Sequence, residues 1–206
     1  IIHSMRLIPV GVWGADTEVK EAKAYFPAFI CSIMQTILEL GINGTYEGVS
    51  AIVVPSLCDS LKCLGENWKY AVKEIPFIPM TYPQNRKPEY GIAFTKESYK
   101  RVILDLEKTT GAVFSKEKLQ KSCEIYNEHN KVMRELSDLL AEYPCISAIS
   151  RNEIFKSAYF MEKGEHTILV NQFMEVLKAQ PKEENNKIKL VTSGILVDNR
   201  DLLQII

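Results

Sequence analysis

Among the side chains of this 206-residue chain, its five cysteines, Cys31, Cys58, Cys63, Cys123 and Cys145, are the ones best suited to holding a metal centre. An odd number of cysteines in a chain of this size argues against a disulfide framework and leaves reduced thiols or metal ligands. Cys31 and Cys58 both stand near expected helix starts, and Cys58 also follows an expected strand. A thiolate in such a place meets exposed N–H groups and the positive end of the helix dipole, which favours the ligand form of the side chain. The separation of the pair matches neither the compact ferredoxin spacings nor those of zinc fingers, so the pattern alone leaves ligation and apolar packing both open. Cys63 comes five positions after Cys58, about 500° around a helix at about 100° per residue, and reads as a core residue on another face. Cys123 falls on an apolar helical stripe and also reads as core. Cys145 follows Pro144 in a short connection and has no evident partner.

Other chemical fingerprints are missing from the sequence. It has no glycine-rich phosphate loop, no Gly-x-Ser-x-Gly and no His-Glu-x-x-His. The three histidines, His3, His129 and His166, are far apart. His129, within Asn127-Glu128-His129-Asn130, reads as a solvated or capping residue, and His166, after Gly164-Glu165, as a residue of a helix start. No residue is singled out as catalytic.

The elements that must carry the two thiols follow from hydrophobic patterning. Residues 7–12, 50–54 and 75–78 are apolar or β-branched runs bounded by glycine, proline or polar clusters, the signature of buried strands. Helices are expected at about 27–40, placing Cys31 in the first turns, and from Cys58 to about residue 72. Strands alternating with helices imply a parallel sheet with right-handed crossovers, a flavodoxin- or Rossmann-like three-layer α/β domain. Such sheets gather ligands at the carboxyl ends of their strands, where Cys58 and the loop holding Gln84, Asn85 and Arg86 fall. A large helical excursion follows over 89–179, with Ser115 as an N-cap and Leu119, Cys123, Tyr126, Met133, Leu136 and Leu140 as one buried stripe, interrupted near Asn130. The first domain is thus expected over 1–180. Residues 181–206 read as a polar linker followed by the first strand, 187–194, and first helix of a second α/β domain. Both ends of the chain read as cut, so the sequence is expected to be a fragment.

Composition narrows the partners. The chain is 46% hydrophobic and 25% charged with a net charge of -1, a globular balance that leaves no excess of basic side chains for nucleic acid or an anionic membrane. No apolar run of about 18 residues suits a membrane span and no charged-then-apolar leader is present, so the expected address is the cytoplasm.

Three stretches carry a more specific signal: Ile8-Pro9-Val10-Gly11-Val12-Trp13-Gly14, Tyr25-Phe26-Pro27-Ala28-Phe29-Ile30-Cys31-Ser32-Ile33-Met34-Gln35 and Val54-Pro55-Ser56-Leu57-Cys58-Asp59-Ser60-Leu61. Together with Pro83-Gln84-Asn85-Arg86-Lys87, Tyr126-Asn127-Glu128-His129 and Glu165-His166-Thr167, they resemble the 2-hydroxyacyl-CoA dehydratase family, which includes the benzoyl-CoA reductase subunits. The likeness is greatest to the smaller subunits of the 2-hydroxyisocaproyl- and 2-hydroxyglutaryl-CoA dehydratases, and it runs in order over nearly the whole chain. It implies a [4Fe-4S] cluster in each subunit, held by three cysteines. Two of those positions match Cys31 and Cys58; the third, expected in a C-terminal half, has no counterpart among Cys63, Cys123 and Cys145. It further implies a heterodimer with a larger homologous subunit and an ATP-dependent iron–sulfur activator protein, acting in amino-acid fermentation by anaerobes. The implied reaction is dehydration of an (R)-2-hydroxyacyl-CoA to the 2-enoyl-CoA, in which one electron makes a ketyl radical anion, the hydroxyl leaves and the β-proton becomes acidic. Gln84, Asn85 and Arg86 are then candidates for the substrate cleft, with a solvated loop as the alternative. A benzoyl-CoA-type reductase subunit and a non-catalytic paralogue serving as scaffold are the rival readings.

Overall fold

The computed structural model describes residues 1–181, 188, 190–193 and 197–206. Of the expected strand 187–194, residues 188 and 190–193 are described and none of them is in a strand; residues 182–186 of the expected linker lie outside the described residues. The chain divides into two compact units: the first is essentially residues 12–114, the second residues 2–11 with 115–206.

The first unit holds a small α/β core. Helix α1 (Ser32–Ile42) leads to β1 (Ile52–Pro55), α2 (Asp59–Ala71), β2 (Phe77–Met80) and the long α3 (Glu89–Thr110). The strands pair in parallel, with Ile52 opposite Phe77 and Pro55 opposite Met80. This is the βαβ crossover that the β-branched runs require, with α2 as the crossover helix. Met34, Ile37 and Leu38 from α1, Leu64 and Trp68 from α2, and Val54 from β1 form the core. Trp68, 1% exposed, satisfies its indole N–H on the Ile75 carbonyl at 2.9 Å, which closes α2 onto the approach to β2. Helix α3 packs on β2 and ends at Gly111, whose φ of 71° provides the left-handed stop.

The expected first strand is not formed. Residues 7–12 are irregular, Ile8 and Val10 are both exposed, Pro9 has no N–H to donate, and Gly11 N–H bonds to the Tyr159 carbonyl at 2.9 Å. Among the described residues the sheet therefore has two strands, and the architecture is a mostly helical α/β arrangement.

The second unit is helical: α4 (Lys116–Leu140), α5 (Ala148–Ser157), α6 (Lys163–Lys178) and α7 (Arg200–Ile205). Ser115 caps α4 as expected, its hydroxyl accepting Lys118 N–H at 3.4 Å. Helices α4 and α6 pack through Val132, Leu136, Leu140, Val170, Met174 and Leu177. The apolar stripe of α4 is displaced from expectation. Ser122, His129, Val132, Leu136 and Leu140 are the buried positions, Asn130 faces solvent, and Cys123 is exposed rather than core. Asp198 accepts from Lys156 at 2.7 Å and Asn152 at 2.9 Å, which fastens the chain before α7 to α5. No helix of the described residues is long and apolar enough to cross a membrane.

Candidate metal centre

Cys31 and Cys58 each occupy the N-cap of a helix, Cys31 before α1 and Cys58 before α2. Cys58 has extended backbone, φ −147° and ψ 170°, and its sulfur accepts Leu61 N–H at 3.4 Å, the bond that an oxygen cap would make. The Cys31 side chain makes no such bond. Cys58 is exposed and Cys31 partly buried against the core of the unit.

The two helices are fixed together at their carboxyl ends. Gly41 of α1 is so close to α2 that a methyl group there would lie 2.7 Å from the Trp68 ring. At the same end the buried Glu39 carboxylate accepts Ala22 N–H at 2.8 Å, and Asn67 of α2 donates to the Tyr25 carbonyl at 2.7 Å. Ten residues back from Gly41 stands Cys31, and ten back from Trp68 stands Cys58, about 15 Å along each helix at a rise of about 1.5 Å per residue. Ile30, Cys31 and Leu61 all pack on the core of the first unit.

The start of α2 adjoins the carboxyl edge of the sheet. Ser56 N–H bonds to the Met80 carbonyl at 2.8 Å, and Tyr82 N–H bonds back to the Ser56 hydroxyl at 3.2 Å. The segment leading to Cys58 and the loop with Gln84, Asn85 and Arg86 thus leave the sheet side by side. Within that loop the Arg86 guanidinium lies 5.5 Å from the centre of the Tyr82 ring, Asn85 donates to the Tyr90 hydroxyl at 3.3 Å, and Gln84 is exposed. The Tyr82 and Tyr99 hydroxyls are 3.2 Å apart; burial first, and then Tyr99, push the Tyr82 phenol up to about 12, against the pull of Arg86. Gly91 fits the loop to α3, because a side chain there would overlap the Asn85 carbonyl oxygen.

As a metal centre the arrangement is partial. Soft thiolates at helix N-termini suit iron, and the first unit supplies two such positions. Among the described residues no group of three or more His, Cys, Asp or Glu side chains could hold a metal ion. Cys63 is exposed on α2, not in the core as its spacing suggested, because Leu64, Gly65 and Trp68 take the inward face. Cys145 is exposed in the second unit.

Over residues 1–206 the sequence matches the family described as 2-hydroxyglutaryl-CoA dehydratase, D-component. The chain belongs to this family. Among curated relatives, it is 50% identical to the (R)-phenyllactyl-CoA dehydratase beta subunit of Clostridium sporogenes, over 100% of this chain and 55% of the relative. It is 39% identical to lactoyl-CoA dehydratase subunit beta of Anaerotignum propionicum, over 100% of this chain and 54% of the relative. To the (R)-2-hydroxyglutaryl-CoA dehydratase beta subunit of Acidaminococcus fermentans it is 31% identical, over 99% and 55%. The chain spans about half the length of these dehydratase subunits.

Two buried polar groups of this family member escape sequence reasoning. Glu39 is 2% exposed, and although burial opposes its charge, the N–H groups of Ala22, Glu21 and Lys20 together hold its carboxyl below the usual value. It thereby ties the turn at residues 20–22 to the carboxyl end of α1. In the second unit His129 and His166, 4% and 2% exposed, are paired rather than solvated. Ser157 gives its proton to the Ile154 carbonyl at 2.7 Å, so at 2.9 Å it must receive one from His166 Nε2. His166 Nδ1 then accepts from His129 Nε2–H at 3.0 Å, and His129 Nδ1 is left as a buried lone pair without a hydrogen-bond partner among the described residues. Burial, with Lys163 and His166 nearby, pulls His129 down to about 4. His3 joins Ser122 and Glu162, each at 2.8 Å, in the order of a nucleophile relay. Ser122 is 6% exposed in the middle of α4, however, so this relay serves as a tether rather than a site of attack.

Proposed function

We propose that this chain is part of one subunit of an iron–sulfur (R)-2-hydroxyacyl-CoA dehydratase, in which Cys31 and Cys58 are two of the thiolate ligands of a [4Fe-4S] cluster. The observation that carries the reading is the family match along the entire chain, with 50% identity to a dehydratase beta subunit. The placement of both thiols at helix N-caps gives it independent physical support.

When bound, the cluster supplies a single low-potential electron, which allows a 2-hydroxyl group to leave and acidifies the β-proton that is lost. The residues of this chain would hold and shield it. The segment that carries Cys58 is held by the ladder bond of Ser56. The remaining ligand is expected from sequence beyond this chain. Asn85 and Arg86, held against Tyr90 and Tyr82, would with Gln84 line one wall of an acyl-CoA cleft. On this reading the protein works with a larger partner subunit and an ATP-dependent iron–sulfur activator.

The test is anaerobic reconstitution of the full-length protein with its partner and activator, offered (R)-phenyllactyl-CoA, (R)-lactoyl-CoA and (R)-2-hydroxyglutaryl-CoA. ATP-dependent formation of a 2-enoyl-CoA from at least one is expected. Reduction of benzoyl-CoA instead, or no reaction with an assembled and iron-loaded heterodimer, would contradict the proposal.

A further inference from the structure

At the carboxyl edge of the sheet the Arg86 guanidinium is held in place but not neutralised. It is exposed, it lies 5.5 Å from the centre of the Tyr82 ring, and among the described residues no carboxylate forms an ion pair with it. The ring it rests on is fixed from several sides. Tyr82 N–H bonds to the Ser56 hydroxyl at 3.2 Å, its hydroxyl donates to the Met80 sulfur at 3.7 Å, and the Tyr99 ring meets it edge-on with the two hydroxyls 3.2 Å apart. Directly before it, Thr81 N–H bonds to the buried Ser98 hydroxyl at 3.1 Å, so the ring is tied both to the sheet and to α3. The residue before Arg86 is held as well: Asn85 donates to the Tyr90 hydroxyl at 3.3 Å, and its carbonyl lies against Gly91. A guanidinium on such a mount has already lost much of its freedom, so it gives up less when an anion binds. Lys87, also exposed, follows directly and adds positive charge.

We infer that Arg86 binds a phosphate group of the coenzyme A moiety, with Tyr82 and Tyr99 as the positioning residues that hold it, an inference that rests on the acyl-CoA reading above. The planar fork of guanidinium N–H donors matches two phosphate oxygens at once, and parallel sheets of this kind place their ligands at the edge where Arg86 stands. The competing anion is a carboxylate on the acyl group. The relatives are named for phenyllactyl, lactoyl and 2-hydroxyglutaryl thioesters, and only the last brings a free carboxylate, whereas coenzyme A is common to all three. Arg86 therefore serves the shared part of the substrate and leaves the choice of acyl group to other residues.

The experiment uses the full-length heterodimer and measures binding of free coenzyme A, pantetheine and inorganic phosphate by calorimetry, so that no turnover is needed. Coenzyme A affinity should fall about tenfold or more in Arg86→Gln, as expected for the loss of hydrogen bonds to a charged group, and less in Arg86→Lys. Pantetheine, which lacks the phosphates, should bind equally to all three proteins. Tyr82→Leu should weaken coenzyme A several-fold on its own and add nothing in the Arg86→Gln background, while Tyr82→Phe, which keeps the ring, should stay close to wild type. In turnover, Arg86→Gln should raise KM alike for (R)-phenyllactyl-CoA and (R)-2-hydroxyglutaryl-CoA, by more than it lowers kcat. Unchanged coenzyme A affinity in Arg86→Gln, an equal loss for pantetheine, or a rise in KM confined to the 2-hydroxyglutaryl thioester would overturn the inference. So would inorganic phosphate bound as tightly as coenzyme A, which would make this an indifferent anion site, or dissociation of the partner subunit from Arg86→Gln, which would make it part of the interface. Failure of the underlying reading looks different: coenzyme A binding then still depends on Arg86, but no thioester is dehydrated.

Discussion

Replacing Glu39 by Gln perturbs the tie between α1 and the turn at residues 20–22 at one atom. The carboxylate is 2% exposed and accepts Ala22 N–H at 2.8 Å, with Glu21 and Lys20 N–H groups and the Asn43 side chain also directed at it. Gln keeps the shape and one carbonyl oxygen, but removes the charge and turns an NH2 group toward N–H donors. Hydrogen bonds to a charged acceptor contribute about 1.5–3 kcal/mol each, so with one acceptor retained the loss should be about 2–4 kcal/mol. Both tryptophans, Trp13 and Trp68, lie in the first unit, and urea unfolding followed by tryptophan fluorescence therefore reads that unit alone. The pH dependence gives a second readout. The folded carboxyl takes up a proton less readily than the unfolded one, so its contribution is fully present above the ordinary value of 4.5 and is lost as pH falls through the lowered folded value. The wild-type protein should exceed Glu39→Gln in stability at pH 7, and the gap should close below pH 4.5. Equal midpoints at pH 7 would refute the anchoring argument.

Other perturbations have equally definite outcomes. For Gly91→Ala, whose methyl group would overlap the Asn85 carbonyl, we expect a loss of about 1–3 kcal/mol in thermal unfolding together with a displaced 84–86 loop, visible as changed amide shifts for Asn85 and Arg86. Leu136→Ala, at a side chain with no exposure, should cost about 2–5 kcal/mol by circular dichroism of the second unit. The buried His129 should make that unit acid-sensitive. Its folded-state value is depressed to about 4, so the unfolded chain binds the proton first and stability falls as pH drops from about 6.5 toward 4. The same titration on His129→Leu should lose most of this slope, and an undiminished slope would place the acid sensitivity elsewhere.

Legibility in the sequence followed how local the determining physics is. The β-branched run before Pro55 and the apolar run before Met80 gave β1 and β2, Ser115 gave the start of α4, and Cys58 fell at the strand-to-helix junction where its neighbours implied. Residues 7–12 have the same local composition as a strand, but among the described residues no strand pairs with them, and Gly11 bonds instead to the distant Tyr159. Asn130 interrupted the expected stripe of α4 because the inward position belongs to His129, which is buried only because His166, 37 residues later, completes its hydrogen bond. Glu39 resembles any acidic residue on a helix until the turn at Lys20 to Ala22 is folded against it. Cys31 and Cys58 were legible as candidates through their helix starts, whereas the contact of Gly41 with Trp68 that joins their helices was not.

The central claim is that Cys31 and Cys58 hold iron, and iron analysis of the Cys58→Ser protein tests it most directly. Serine keeps the N-cap but replaces a soft thiolate with a poor iron ligand, so folding should be preserved while the cluster is lost. In the full-length, anaerobically purified heterodimer, iron and cluster absorbance should fall by the share belonging to this subunit while the partner keeps its own, and dehydration should stop. Iron content and turnover equal to the wild-type protein would remove Cys58 from the site and contradict the account.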